Sequence, residues 1–383
     1  MGMDILNYTE AHQQFRMRLR EFCQKEIIPH VDQWEADHIV PKSIWKRMGQ
    51  EGFLCTNAPK AYGGHGLDFL YSVIVAEELA RTNHTGLAAP LHSDIVVPYI
   101  VSYGSEEIKK KYIPGCTSGD IITAVAMTEP DAGSDVASMT TTAVEDGDMV
   151  EINGSKTFIT NGINADLVVV AAKDPNADNP HQAVSLYIVE DGTPGFTRGR
   201  HLEKMGFHSQ DTAELFFTNC RIPKTNILGQ KNFGFIMLME KLQQERLICA
   251  IMAQFAVELM LEAAMLYCQS TKDTTGRPLS KYQGINFQLV EMMTEAHIGR
   301  VFMEKLVADH MEGLNVVKET CMAKYWHTDL TQKISNQVLD LIGEEATAER
   351  SMILRGWRDL RVLPIFAGTN EIMKMVVGKM SGL

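Results

Sequence analysis

The chain has 383 residues, 45% of them hydrophobic, and its 48 acidic against 36 basic side chains give a formal charge of -12 at pH 7. That length buries a sizeable core and predicts two or three structural units, while the acidic balance, without a long Lys/Arg run, excludes an electrostatic phosphate-backbone binder and so nucleic acid. The 7 cysteines show neither CxxC spacing nor the even framework of a stapled secreted domain, so a reducing compartment is expected and no metal site.

The N-terminus lacks a basic region followed by a long apolar run, so neither a secretory nor a mitochondrial leader is expected. No segment approaches the uninterrupted apolar length that spans a membrane. The expected location is cytoplasmic. Over residues 1–120 apolar side chains recur at helical spacing, as in Phe15, Leu19, Phe22 and in Tyr71, Ile74, Val75, Leu79, broken at Gly63-Gly64-His65-Gly66, which predicts a helical domain. Residues 121–230 change to short β-branched and aromatic runs (Leu167 to Ala171, Val184 to Val189, Ala213 to Thr218) between Asn, Gly, Pro and Asp clusters, predicting a small antiparallel β domain.

After Phe233-Gly234-Phe235 helical periodicity returns through residues 231–383, broken at Thr274-Thr275-Gly276-Arg277-Pro278, and predicts a closing helical bundle. The fold class is therefore α+β. Of the 22 methionines, pairs such as Met237 with Met239 and Met292-Met293 are expected to fill gaps between helices.

Two polar segments punctuate the β region: Met127-Thr128-Glu129-Pro130-Asp131-Ala132-Gly133-Ser134-Asp135 and Lys156-Thr157-Phe158-Ile159-Thr160-Asn161-Gly162. Gly133 permits close backbone approach, Thr128, Ser134 and Thr160 offer hydroxyls, and Phe158 offers a flat apolar face, a combination that suits a flavin. No GxGxxG follows a strand, which argues against a Rossmann site. At these residues the chain resembles the acyl-CoA dehydrogenase family, whose members carry TEPxAGSD and then K-x-[WF]-I-[TS]-N-G.

The resemblance covers nearly the whole chain. It implies an N-terminal helical domain, a middle β domain and a C-terminal four-helix domain, assembled as a homotetramer, with FAD held between β domain and bundle and aided by a neighbouring subunit. It also implies oxidation of an acyl-CoA thioester to the α,β-enoyl-CoA, with electrons passed to an electron-transfer flavoprotein. Carried over residue by residue, Met127, Thr128, Phe158 and Thr160 would meet the flavin ring and ribityl region. Thr369 would sit near the phosphates, and Lys272, Gln283, Gly343 and Glu371 would complete the cofactor contacts. Ser134, Arg246 and Gly368 would face the substrate.

The chain departs from the family pattern in places. Lys272-Asp273-Thr274-Thr275-Gly276 stands where relatives have Arg-x-x-Phe-Gly, and Lys272 keeps the charge without the bidentate fork. Gly343-Glu344, after Asp340, replaces a Gly-Gly dipeptide; backbone donors are expected to take over these contacts.

The reaction class needs a carboxylate to remove the proton next to the thioester. In medium- and short-chain relatives that acid belongs to a Y-E-G-T segment, which here reads Phe366-Ala367-Gly368-Thr369; Ala367 accepts no proton. Leu242-Gln243-Gln244-Glu245-Arg246-Leu247 resembles the segment from which long-chain and isovaleryl-type members supply their base. Glu245 is therefore the expected base, with its pKa raised by desolvation, and the Ala367 amide is left to polarise the thioester oxygen. Arg246 is expected to support the site or to form a structural ion pair.

Asp94, in Pro90-Leu91-His92-Ser93-Asp94-Ile95, falls in a segment that lines the acyl cavity in the family. A carboxylate is costly against a plain alkyl chain. Two readings are open: a helix cap, or a second base for a remote proton of an alicyclic (cyclohexane- or cyclohexene-carboxyl-CoA) substrate, with His92 as a hydrogen-bond partner in either case. A third function class, a non-catalytic flavin-binding assembly protein, is raised by Ala367, Thr275 and Glu344.

Overall fold

A computed structural model describes residues 5–84, 86–177, 182–348 and 351–383. The first third is helical: α1 (Glu10–Phe22), α2 (Val31–Asp37), α3 (Lys42–Gln50), α4 (Phe69–Ala80), a π-helical turn (Leu91–Val96) running directly into α5 (Val97–Tyr103), and α6 (Glu106–Ser118). Helix α1 starts at the Thr9 cap and buries Phe15, Leu19 and Phe22 on one side, as the spacing predicts. Helix α4 is buried all round from Phe69 to Leu79, the pattern of a central helix. Its two buried acids, Glu77 and Glu78, are neutralised by Arg16 and Arg20 of α1.

Eight strands follow among the described residues: β1 (Thr123–Ala126), β2 (Thr142–Asp146), β3 (Met149–Thr160), β4 (Leu167–Lys173), β5 (Val184–Glu190), β6 (Phe196–His201), β7 (Thr212–Pro223) and β8 (Ile227–Leu228). They form one sheet in the order β6-β7-β3-β2-β4-β5-β8, with β1 also beside β4. The antiparallel expectation needs correcting at β4, which pairs in parallel with β1 from Thr123↔Leu167 to Ala126↔Val170 and with the start of β2 at Thr142↔Lys173. The motif loop and the β2–β3 hairpin supply the long connection that a parallel pair requires. Strands β4 and β5 are buried on both faces. Leu167, Val169 and Ala171 join the core of the N-terminal helices, and Val168, Val170 and Ala172 join the other face of the sheet, which explains their uninterrupted apolar runs.

The closing bundle consists of α7 (Gly234–Ser270), α8 (Gln283–Met311), α9 (Val317–Ile342), α10 (Met352–Asp359) and α11 (Asn370–Met380). Helix α7 corrects the statement that no segment is long and apolar enough to cross a membrane. Its 37 residues are, although 67% of the most apolar stretch is buried inside the fold. One side of it, Leu247, Ile248, Ile251 and Phe255, packs on Phe69, Leu70 and Val73 of α4. Another side, Ala253, Val257, Met260 and Ala264, meets Leu289 and Met292 of α8 and Leu330, Ile334 and Val338 of α9. The methionine expectation holds for Met237 and Met292, which are buried, and fails for Met239 and Met293, 41% and 44% exposed, because neighbouring helical positions point to different faces.

Candidate active site

The two motif segments are clasped by a buried ion pair. The Lys156 ammonium donates to the Glu129 carboxylate at 2.8 Å and to the Met127 carbonyl at 3.0 Å. Glu129 also accepts from the Thr140 amide at 2.6 Å, the Thr140 hydroxyl at 2.7 Å and the Thr141 amide at 3.0 Å. Burial alone would raise its pKa, but Lys156 and the two threonines hold the carboxyl down at about 2. The Thr157 amide donates to the Thr128 carbonyl at 2.9 Å, which lays Met127-Thr128 beside the Lys156-Thr157-Phe158 turn.

In that turn the pairing of β3 with β7 shifts register between Lys156 and Ile159. Phe158 takes a left-handed φ of 56° and leaves its ring 68% exposed. An exposed aromatic held in a conformation uncommon for a bulky residue, flanked by half-buried Thr128 and Thr160, fits a flat ring system. Ser134 is exposed. A Cβ at Gly133 would meet nothing within 4 Å, so no contact among the described residues requires that glycine.

Two buried carboxyls stand on adjoining segments. Glu245, on α7, is 6% exposed. Among the described residues its Oε2 has no hydrogen-bond partner, and burial pushes its pKa up to about 7 against a smaller opposing pull from Arg246. Asp94, in the π-helical turn, is 2% exposed. Its Oδ1 is likewise unpartnered among the described residues, and burial raises the carboxyl to about 7 despite a hydrogen bond from Ser72. Gln244 ties the segments together, donating from Nε2 to the Asp94 carbonyl at 2.6 Å.

The helix-cap reading of Asp94 is overturned. The turn begins after Pro90, α5 follows Val96, and neither start has a side-chain cap. His92 does not pair with Asp94 either: its Nδ1 lies 2.8 Å from the Thr123 hydroxyl and its Nε2 3.0 Å from the Cys116 carbonyl.

Behind Glu245 the site is cationic. Arg246 is 5% exposed and approaches the Cys321 sulfur at 3.2 Å. Among the described residues its Nε has no partner and it forms no ion pair, so the structural ion pair is not what holds it. Lys324 of α9, fully buried, donates to the Gly368 carbonyl at 2.7 Å and to Asn370 Oδ1 at 3.0 Å. Ala367 and Gly368 both have left-handed φ, 51° and 87°. Thr369 then caps α11 by accepting from the Ile372 amide, and Glu371 lies exposed in its first turn. Asn370 anchors this turn to α9 through Tyr325, Thr328 and Asp329.

Three expected cofactor residues are not gathered here. Lys272 is exposed in the loop after α7, about 40 Å along the helix from Glu245 at ~1.5 Å per residue. Gln283 opens α8 on the same side of that loop. Gly343 closes α9 with φ 73° and nothing near its α-carbon face. The Lys272–Pro278 loop itself is well made: Asp273 accepts from Thr275, Arg277 and the Tyr282 hydroxyl.

Sequence reasoning missed Gln244, Tyr99, Lys324 and Asn370, and missed the pairing of Glu129 with Lys156. Tyr99 is fully buried with an unpartnered hydroxyl, and its phenol is raised by burial and then by the nearby Glu245. A signal for Lys324 existed: α9 carries a stripe of buried polar residues, Thr320, Lys324, His327, Thr328, Thr331 and Ser335, which an amphipathic surface helix would not.

Comparison with known proteins places these features in context. Models of the acyl-CoA dehydrogenase N-terminal, middle and C-terminal domains match residues 9–120, 124–220 and 232–381. The chain is 41% identical over 373 residues to the mitochondrial long-chain specific acyl-CoA dehydrogenase of Sus scrofa, covering 97% of this chain and 86% of the relative. Among solved structures it is similar to an acyl-CoA dehydrogenase from Geobacillus kaustophilus, with TM-score 0.96, 48% identity and 98% and 99% of the two chains covered. It is also similar to a chain of the solved electron transferring flavoprotein of Acidaminococcus fermentans, with TM-score 0.93, 32% identity and 100% and 99% covered.

Proposed function

The chain belongs to the acyl-CoA dehydrogenase family, and from that premise we propose which of its residues carry the reaction. The protein is an FAD-dependent oxidoreductase that converts an acyl-CoA thioester to the α,β-enoyl-CoA. In our reading Glu245 removes the α-proton, the Ala367 amide polarises the thioester oxygen, and Ser134, Arg246 and Gly368 face the substrate. The observation that carries this is the buried, unpartnered Oε2 of Glu245. A carboxyl raised to about 7 is a stronger base than an exposed glutamate and is still ionised above neutrality.

FAD is the cofactor: Met127, Thr128, Phe158 and Thr160 would hold the ring and ribityl, and Thr369 and Glu371 would lie toward the phosphates. When bound it accepts the β-hydride. Lys272, Gln283 and Gly343 lie too far along the bundle to serve the same flavin, so a second copy of the chain supplies them. A stripe of exposed apolar residues on α8, Phe287, Val290, Met293 and Ile298, supports such an assembly, and a homotetramer is the proposed form. An electron-transfer flavoprotein as acceptor, a role in β-oxidation and a cytoplasmic location complete the reading.

A second reading rests on Asp94, whose buried and unpartnered Oδ1 would suit removal of a remote proton from an alicyclic acyl-CoA. The non-catalytic alternative loses its motive, since Glu245 supplies the buried acid that Ala367 lacks. Anaerobic flavin bleaching by straight-chain and alicyclic acyl-CoAs in Glu245→Gln and Asp94→Asn tests the assignment. Loss in Glu245→Gln supports it, and loss confined to Asp94→Asn overturns it.

A further inference from the structure

A buried ammonium is costly unless charge or function repays it. Among the described residues Lys324 has no carboxylate within ion-pair distance. Its Nζ meets only two neutral oxygens, the Gly368 carbonyl at 2.7 Å and Asn370 Oδ1 at 3.0 Å. A methionine would fill the same space without the desolvation penalty. The charge is nevertheless placed where three elements of the site converge. Helix α7 presents Arg246 and Cys249, the latter one turn beyond Glu245. Helix α9 presents Cys321, one turn before Lys324, with Arg246 on its sulfur. The third element is the Ala367–Thr369 turn, held with two consecutive left-handed residues.

We propose that Lys324 is a positioning residue whose buried positive charge, set on the Gly368 carbonyl, holds the Ala367–Thr369 turn and favours the enolate that a thioester develops as its α-proton leaves. The inference rests on the reading that Glu245 and the Ala367 amide flank the thioester. The proton passes from the α-carbon to the Glu245 carboxylate, and the C–H electron pair moves onto the carbonyl oxygen. On that reading negative charge develops at the oxygen that meets the Ala367 amide, one residue before the Gly368 carbonyl that Lys324 holds, and in a buried site a fixed cation acts strongly. Burial lowers the Lys324 pKa to about 8; Cys249, Asp329 and Glu371 oppose that fall and Arg246 adds to it. The ammonium is thus retained at neutral pH and lost in mild alkali.

The test uses holoenzyme and acetoacetyl-CoA, a β-keto thioester that forms an enolate by losing a proton and needs no redox step. Enolate absorbance of the bound ligand is followed against pH in the native protein, in Lys324→Gln, which keeps a donor without charge, and in Lys324→Met, which fills the same space without charge should the first variant not fold. The native protein is expected to ionise the ligand at lower pH than free solution does. Either variant should raise that midpoint by about one pH unit, with affinity for CoA itself unchanged. An unaltered midpoint in a folded variant overturns the role of Lys324. A native protein that leaves the ligand's ionisation where it is in water instead overturns the active-site reading on which the inference stands.

Discussion

The Gln244 side chain donates to the Asp94 main-chain carbonyl at 2.6 Å, and this one bond joins helix α7 to the π-helical turn of the N-terminal helices. The acid adjacent to each partner in sequence, or the partner itself, is buried with an unpartnered oxygen: Glu245 beside Gln244, and Asp94. Two carboxyls 151 positions apart in the chain are thereby brought to neighbouring segments, both titrating near 7.

Removing the ionisable oxygen of Glu245 should stop chemistry while leaving binding intact. For Glu245→Gln the rate of flavin reduction by a saturated acyl-CoA should fall about 10²–10⁴-fold, with the affinity for the enoyl product little changed. Stopped-flow bleaching and equilibrium titration check the two halves separately.

The pH profile follows from the sign of the Glu245 shift. The base acts deprotonated and its pKa is raised to about 7, so kcat/KM should rise with pH and level off above about 7, rather than above the ordinary carboxylate range near 4.5. A profile already flat at pH 5 would contradict the assignment.

Asp94 should make the fold pH-sensitive in the same window. Its folded pKa lies above the unfolded value, so the folded state holds the extra proton and stability is lost as pH rises from about 4 to about 7. In Asp94→Asn that loss should shrink, leaving the variant more stable than the native chain at pH 8 by on the order of 1–4 kcal/mol. Denaturant titrations of the two holoproteins at pH 5 and pH 8 measure it.

Lys156→Met should be strongly destabilising, by about 3–5 kcal/mol, because it strands the buried Glu129 carboxylate. The double variant Glu129→Gln with Lys156→Met should recover part of the loss, and thermal unfolding of the double cycle gives the coupling. Flavin retention should fall in parallel, since the clasp sets the Thr128 and Phe158 segments.

Phe158→Ala separates cofactor binding from folding. The ring is 68% exposed, so unfolding should change by less than about 1 kcal/mol. Flavin should dissociate more readily on dilution, followed by the recovery of free-flavin fluorescence.

Much of this architecture was legible in residue order. The spacing of Phe15, Leu19 and Phe22, the apolar runs of β4 and β5 and the break at Thr274–Pro278 each correspond to an observed element, because side-chain periodicity records which face is buried. The parallel pairing of β1 with β4 was not legible, since a strand carries no mark of its partner's direction. Nor was the role of α7, whose apolar composition serves equally for a membrane span and for the core helix that packs on α4, α8 and α9.

The amino-acid sequence by itself determined the family, the α+β order, the motif segments that suit a flavin and the replacement of the loop acid by Ala367, leaving Glu245 as the candidate. Tertiary structure alone decided that Glu245 and Asp94 are buried and unpartnered, that Asp94 caps nothing, that Lys324 reaches the Gly368 carbonyl, and that Lys272 lies far from the base. The division has a physical cause. Motifs and periodicity encode local conformation, whereas a carboxyl's pKa and a cation's partners depend on solvent exclusion and on groups brought together from distant parts of the chain.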